Sequence, residues 1–345
     1  MRILVASSNR GVNGAVVYAR RIAPLLRSAG HHVTLACEPG SWIESAVGAD
    51  VPLLRTDFSR WPLREADRVA AICRAEGVDV VHSHLTRAGN FAALLRARHG
   101  VPSVAHLHAN HPQPHTGLHD LLIAVSRDTA ARQRVVPWNW SVPVEVLPNF
   151  VDPAQFRPAS AGTDPLREAL GAAPSTPVVA VVGLISRRKG QDLAVRAFAE
   201  VRRSRPDAVL AIIGGGELPA GLPMEGVRAL GQRDDLPGLL PHATVVIVPS
   251  RDEPFGLAAV EAMACGVPVA AFAVGGLREI LKGGAGISVP SGDIAALARA
   301  VRGLLDDDAS RRVQAERGRA AALTRYGPEA HVAALTTLLA RGAGQ

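Results

Sequence analysis

Pro249-Ser250-Arg251-Asp252-Glu253-Pro254-Phe255-Gly256-Leu257-Ala258-Ala259-Val260-Glu261-Ala262-Met263-Ala264 reads as a strand end, a loop and a helix. The apolar run 244–249 is a strand of the buried kind, and 256–264 has the composition of a helix. A helix that begins near Phe255 leaves the N–H groups of Phe255, Gly256 and Leu257 as free donors, and such a terminus attracts an anion. Glu261 falls roughly 1.5 turns into the helix, about 8 Å along its axis, while Glu253 stands before its start. Carboxylates do not hold phosphate, but they accept hydrogen bonds from hydroxyls. A diphosphate on the helix start, with a ribose on one side and a hexose on the other, describes a sugar nucleotide.

Outward from this stretch, short apolar strands alternate with helices. Segments 2–6, 32–37, 51–54, 78–82, 103–107, 121–125 and 144–147 read as strands, with helices at 15–28, 64–76 and 90–98. Strands at 177–184, 208–213 and 267–272 and helices at 191–203, 294–305 and 310–324 repeat the pattern. Between the halves, Pro148, Pro153, Pro158 and Pro165 with Asn149, Asp152, Gly162 and Asp164 suggest a surface linker over 148–174. The expected fold class is α/β, with two Rossmann-like doubly wound domains, 1–150 and 151–327, facing across a cleft. Segment 328–345, opening with a helix at 328–339, is expected to pack back on the first domain.

Composition supports this division. At about 150 residues per domain, 345 residues predict two domains. A hydrophobic fraction of 48%, a charged fraction of 20% and a mean hydropathy of +0.14 exclude a disordered or collagen-like chain. Apolar runs such as 178–185 stop at about eight residues where a membrane span needs about 20, and residues 1–9 lack a signal-peptide layout. The expected location is the cytoplasm. Cys37, Cys73 and Cys265 form no pair with zinc or disulfide spacing and read as small buried hydrophobes. The formal charge is +7, and with Lys189 and Lys282 the lysines among 38 basic residues, 36 are arginines. These are scattered over helical segments, and only 4% of residues are aromatic, which argues against nucleic acid as a partner.

Three glycine-bearing loops after strands are candidates for phosphate. Gly11-Val12-Asn13-Gly14 is neither GxGxxG nor GxxxxGK[ST], so nicotinamide-cofactor and P-loop readings lose support; it is a close-approach loop or a plain strand-to-helix turn. Segment 183–190 places Lys189, with Arg187 or Arg188 beside it, where an anion would sit, or it is a basic surface loop. Gly214-Gly215-Gly216 either admits a flat ligand against the backbone or simply turns.

The E-x7-E pair Glu253/Glu261 inside PSRxEPFGLAxxEAMACGVPV resembles the C-terminal domain of retaining GT-B glycosyltransferases of family 4. Other segments match in order. Gly11 to Gly14 resembles the family's N-terminal glycine loop, Asp79-Val80-Val81-His82-Ser83-His84 its DVVHxH strand, and Val101-Pro102 through His108 the strand ending in a cleft histidine. Leu147-Pro148-Asn149-Phe150-Val151-Asp152 is similar to the LPNGVD linker, Lys189-Gly190 to the end of GRLxxxKG, and Gly275-Gly276-Leu277-Arg278-Glu279 to GGLxE. The resemblance implies transfer of a sugar from a nucleoside diphosphate donor, with UDP-sugars the commonest in the family, with retention and without a cofactor or metal. It implies donor contacts at Gly14, Arg188, Lys189, Gly214, Glu253, Phe255, Gly256, Leu257 and Glu261, and catalytic roles for His108, Lys189 and Glu253. Glu261 would hold the ribose, Glu253 the donor sugar, Lys189 the diphosphate, and the amides of Phe255 to Leu257 the distal phosphate. His106, His111, His115 and His119 crowd the same stretch, so each of these histidines, His108 included, is either a site residue or a plain surface histidine.

Two departures qualify the match. Leu184 stands where the family carries a diphosphate-binding arginine, with Arg187, Arg188 or Arg251 as candidate replacements, and Phe150 replaces the linker glycine. A non-catalytic sugar-nucleotide-binding protein and a sugar-nucleotide epimerase are therefore the alternatives. The acidic run Asp306-Asp307-Asp308 reads as a solvated helix end and not as a metal site. The acceptor, whether small molecule, glycan or lipid-linked, and the oligomeric state stay open. Trp42, Phe58, Trp61, Trp138 and Trp140 either line its groove or pack, and Arg55, Arg60 and Arg64 beside Trp61 either touch an anionic membrane surface or cover a helix face.

Overall fold

The computed structural model describes residues 1–59 and 62–345, so the expectations placed on Arg60 and Trp61 lie outside the described residues. The chain forms two compact units, Met1–Asn149 with Pro328–Gln345, and Phe150–Gly327.

The first unit begins with β1 (Arg2–Ser7), α1 (Gly14–Ser28), β2 (His32–Cys37), α2 (Trp42–Ala46), β3 (Leu53–Arg55) and α3 (Leu63–Glu76). It continues with β4 (Val80–His84), α4 (Thr86–His99), β5 (Ser103–Leu107), β6 (Leu121–Ala124), α5 (Arg127–Arg134) and β7 (Val144–Val146). Among the described residues its sheet runs β3-β2-β1-β4-β5-β6-β7, every pair parallel. All residues of β4, β5 and β6 are buried, because crossover helices cover both faces of a parallel sheet. Helix α1 turns Ala15, Val16, Ala19, Ile22, Ala23 and Leu26 inward, the spacing of one helical face. Strand β4 starts at Val80 and not at 78. Gly77 adopts a left-handed φ of 63° and Val78 donates its N–H to Cys73 O at 2.8 Å, so Val78 belongs to the closing turn of α3.

The second unit holds α6 (Pro165–Leu170), β8 (Val178–Val182), α7 (Gln191–Arg202), β9 (Val209–Ile213), β10 (Val227–Gly231), α8 (Leu236–Leu239) and β11 (Val245–Val248). It ends with α9 (Leu257–Ala264), β12 (Val269–Phe272), α10 (Leu277–Ile280), β13 (Ile287–Val289), α11 (Ile294–Asp306) and α12 (Asp308–Arg325). Its parallel sheet runs β10-β9-β8-β11-β12-β13. Helix α13 (Pro328–Gly342) belongs to the first unit, where it lies against α1, β4 and β5. In each sheet the strand order reverses once, at β1/β4 and at β8/β11, and the loops there diverge to leave room for a ligand at the carboxyl ends.

Segment 148–174 is a surface linker in part: it contains the division between the units, and 153–155 and 157–163 are exposed, but its apolar residues are anchored. Phe150, Val151, Phe156 and Leu166 are almost fully buried, and Val151 donates its N–H to Tyr326 O at 2.9 Å. Pro165 opens α6 at the position where its missing N–H costs nothing, and Asp164 caps it by accepting from Arg167 N at 2.9 Å. The exposed Pro153 and Pro158 thus punctuate a surface path pinned to the second unit's core by a few apolar side chains. The run 306–308 is a joint between helices: Asp306 closes α11, and Asp307 caps α12 by accepting from Ala309 N and Ser310 N. Cys37, Cys73 and Cys265 are buried free thiols, and burial pushes Cys265 up to about 12. Among the described residues no helix is long and apolar enough to cross a membrane.

Candidate functional site

Three loops of the second unit leave neighbouring strand ends around the β8/β11 reversal: 183–190 after β8, 249–256 after β11 and 273–276 after β12. They pack backbone to backbone. A Cβ on Gly190 would lie 2.0 Å from Pro249 O, and one on Gly275 2.0 Å from Glu253 O. Both glycines have left-handed φ, 72° and 46°, which other residues adopt only with strain. Gly276 donates its N–H to the same Glu253 carbonyl at 2.9 Å. These glycines therefore set the height of the loop that carries Glu253.

At the centre of this arrangement Lys189 Nζ donates to Glu253 Oε2 at 2.6 Å, and Ser250 Oγ donates to the same oxygen at 3.0 Å. Glu253 is 5% and Glu261 6% exposed, an unusual depth for carboxylates. Helix α9 starts at Leu257, two residues later than its sequence suggests, because Gly256 turns with φ 118°. No side chain caps it, and the amides of Phe255, Gly256, Leu257 and Ala258 have no acceptor among the described residues. Uncapped amides and a lysine in neighbouring loops are the kinds of group that attract an anion. Gly214 follows β9 and donates its N–H to Gly231 O at 2.8 Å.

The candidate replacements for the absent arginine fare differently. Arg251 is engaged by Asp192 in a two-point pair at 2.8 and 2.7 Å and also donates to Arg187 O; its charge is already committed. Arg188 is exposed and donates to Asp252 O at 3.1 Å, and Arg187 is exposed. Leu184 is 55% exposed. Two residues given no role from sequence hold this site together. One is Ser250. The other is Gln191, 1% exposed, which donates to Gly183 O and Leu184 O and accepts from Ser186 N, stitching the β8 loop closed. Their signal was a polar side chain beside a motif, next to a strand end and at a helix start.

Gly14 and His108 belong to the first unit. Gly14 is the first residue of α1, whose next two amides are taken by Asn13 Oδ1 at 3.0 and 3.1 Å. This helix start is closed by its own side chain where that of α9 is open. His108 follows β5 directly, is half-buried, and its Nε2 lies 3.0 Å from His84 Nδ1. Its neighbouring histidines are mostly interior, so the surface alternative fails for three of them. His106 is 2%, His115 5% and His119 3% exposed; His115 contacts Gln113 and His119, and His119 contacts Ser103. Only His111 of the four is exposed. Burial, with His331 adding, pushes His108 down to about 3, so its ring is neutral at physiological pH.

The nitrogens of His82, His84 and His106 come within 4.8 Å of one another, and among the described residues no carboxylate or thiol joins this group. Phe58 is core, edge-on to Phe91 at 5.3 Å, not groove lining. Trp42 lies under the Arg20 guanidinium at 5.7 Å, Trp138 and Trp140 are exposed, and Arg55 pairs with Glu44 at 2.6 Å.

Comparison with known proteins identifies the family and the fold. The family model described as "Glycosyl transferases group 1" matches residues 163–321, and that described as "Glycosyltransferase Family 4" matches residues 12–155. D-inositol 3-phosphate glycosyltransferase of Acidothermus cellulolyticus is 31% identical, over 85% of this chain and 78% of its own. D-inositol 3-phosphate glycosyltransferase 1 of Catenulispora acidiphila is 31% identical over 72% and 71%. Among solved structures, Anabaena Alr3699/HepE in complex with UDP-glucose matches with a TM-score of 0.84 at 21% identity, covering 99% of this chain and 100% of that one. Sucrose-phosphate synthase from Thermosynechococcus elongatus matches with a TM-score of 0.80 at 23% identity, covering 99% and 98%. A loop cluster built around a lysine paired with a buried glutamate, on two Rossmann-like units of the GT-B fold, thus accompanies a sequence match along most of the chain: it belongs to the group 1 glycosyltransferases of family 4.

Proposed function

We propose that this glycosyltransferase moves a hexosyl or N-acetylhexosaminyl group from a nucleoside diphosphate sugar, foremost a UDP-sugar, to its acceptor with retention and without a metal. The reading rests on Lys189 Nζ at 2.6 Å from Glu253 Oε2 beside the uncapped amides of α9. Departure of the diphosphate builds negative charge while the sugar gains oxocarbenium character, and preorganised donors aimed at that charge lower the barrier. Lys189 and the amides of Phe255, Gly256 and Leu257 supply those donors, with Arg188 and Gly214 at the margins and Gly14 on the first unit. Glu253, freed from part of its contact with Lys189, accepts from hydroxyls of the donor sugar, and Glu261 from the ribose. His108 acts on the sugar at the reacting centre. The Anabaena protein's complex with UDP-glucose and the inositol phosphate named for the curated relatives direct the choice of substrates to test.

The test is release of nucleoside diphosphate from UDP-, GDP- and ADP-sugars with an acceptor panel that includes inositol phosphates, simple glycans and lipid-linked sugars, with and without chelator. Turnover that survives the chelator and disappears in Glu253→Ala and Lys189→Ala supports the proposal; equal rates in wild type and variants refute it. One observation favours a second reading, a sugar-nucleotide-binding protein without turnover: the exposed Leu184 leaves one cation fewer on the leaving group. Tight nucleotide binding in calorimetry with no transfer to any acceptor decides for it.

A further inference from the structure

The parallel register of β4 and β5 pairs His82 with Val104 and His84 with His106, so side chains two apart on each strand share one face of the sheet. Two imidazole–imidazole hydrogen bonds then form, each from a β4 histidine to the residue two beyond its partner. His82 Nε2 lies 3.2 Å from His106 Nδ1, and His84 Nδ1 3.0 Å from His108 Nε2. On the same face His106 stacks on His108 at 4.6 Å between centroids, while His82 meets His84 edge-on at 4.3 Å. Tyr18 of α1 covers them at 4.7–5.3 Å.

We propose that His84 is a positioning residue for His108: it donates from Nδ1 to His108 Nε2 and so fixes His108 as the tautomer that presents its Nδ1–H at the carboxyl end of the sheet. A neutral imidazole has one donor and one acceptor nitrogen, so one partner of the 3.0 Å pair must donate. His84 is fully buried, and its Nε2 has no hydrogen-bond partner among the described residues. A proton on that Nε2 would be an orphaned buried donor, whereas a bare lone pair there is the milder defect. The proton therefore sits on Nδ1. Both rings are neutral, since burial holds His84 well below its ordinary range and His108 at about 3, and the titratable groups facing them are His82, His106, His331 and Tyr18, with no carboxylate acting on either ring among the described residues. His108 Nδ1 is not among the sealed, partnerless atoms of the interior. Backbone strain marks the same place: Leu85, directly after His84, is the one non-glycine residue with positive φ, 72°, among the described residues.

The tautomer itself can be read without any assay of transfer. In the full-length protein carrying isotope-labelled histidine, long-range proton–nitrogen correlation near neutral pH is expected to show His84 and His108 both protonated at Nδ1. His84→Asn keeps an N–H at the Nδ1 position and should keep the His108 tautomer; His84→Leu removes it and should yield a mixture. An Nε2-protonated His108 in the wild type, or an unchanged His108 in a folded His84→Leu, overturns the proposal. So does zinc that survives dialysis against a chelator with His84 Nε2 as its ligand. The kinetic arm rests on the function proposed above: kcat should fall on the order of tenfold to a hundredfold in His84→Leu, with KM for the donor little changed and rescue in His84→Asn. Full activity in His108→Ala would sink that functional reading and leave the tautomer result standing.

Discussion

At the carboxyl end of the second sheet a lysine and a glutamate meet at 2.6 Å beside four open amides, whereas at the corresponding end of the first sheet neutral imidazoles stack on one another beneath a tyrosine. The division runs through the whole chain. Of twelve histidines, His242 alone lies in the second unit. One unit offers fixed charge and backbone donors, which suit an anion; the other offers directional, uncharged donors and acceptors, which suit hydroxyls. A transferase that must stabilise a departing diphosphate without protonating everything around it has use for both.

The largest expected effect tests the charged end. Lys189→Ala removes the cation from the anion site and leaves Glu253 buried with only Ser250 donating to it, so transfer should fall on the order of a hundredfold to a thousandfold, read as nucleoside diphosphate release. A loss of less than threefold breaks the contrast between the units. The next effect tests the neutral end. His115 and His331 are held at about 4 and His82 at about 3, each chiefly by burial, and His84, His106 and His119 are also held low. Because their folded pKa values lie below the ordinary 6.5, the unfolded chain binds more protons from about pH 6.5 down to about pH 3 and below. Stability should be complete above that window and decline through it, by several kcal/mol in total. Hydrogen exchange of the acid-equilibrated protein should then find the first unit opening before the second; simultaneous opening would mean the histidines are not the acid-sensitive element.

Smaller changes sharpen the comparison. Gly275→Ala puts a Cβ 2.0 Å from Glu253 O on a backbone with φ 46°, and should cost about 2–3 kcal/mol in denaturant unfolding, with activity lost beyond what stability explains. Leu184→Arg supplies the missing cation and is expected to tighten nucleoside diphosphate binding by about fivefold to tenfold, roughly 1 kcal/mol, in calorimetry. Unchanged affinity would mean that the exposed Leu184 does not face the phosphates.

These two ends were unequally legible in the sequence. Most of the charged site was readable because it is local: Glu253, the start of α9 and Glu261 lie within nine consecutive residues, and a helix start after a strand has open amides by its geometry; Lys189, 64 residues from Glu253, was legible through its own loop after a strand. The alternation of strands and helices was legible for the same reason. What escaped depended on partners distant in the chain. Segment 148–174 looked like a linker because prolines punctuate it, yet burial of Phe150, Val151 and Phe156 is decided by the residues around them. Arg251 looked available until Asp192, 59 residues away, claimed it. The histidines near His108 could not be sorted between site and surface because a polar side chain gives no sign of depth; the register between β4 and β5 put His106 inside.

The central claim is that a diphosphate lies against the start of α9, and the most direct measurement follows the backbone amide resonances of the full-length protein during titration with UDP. The account expects the largest shifts at Phe255, Gly256 and Leu257, lost in Lys189→Ala. Saturating shifts that spare these three amides and centre on another part of the chain would contradict it.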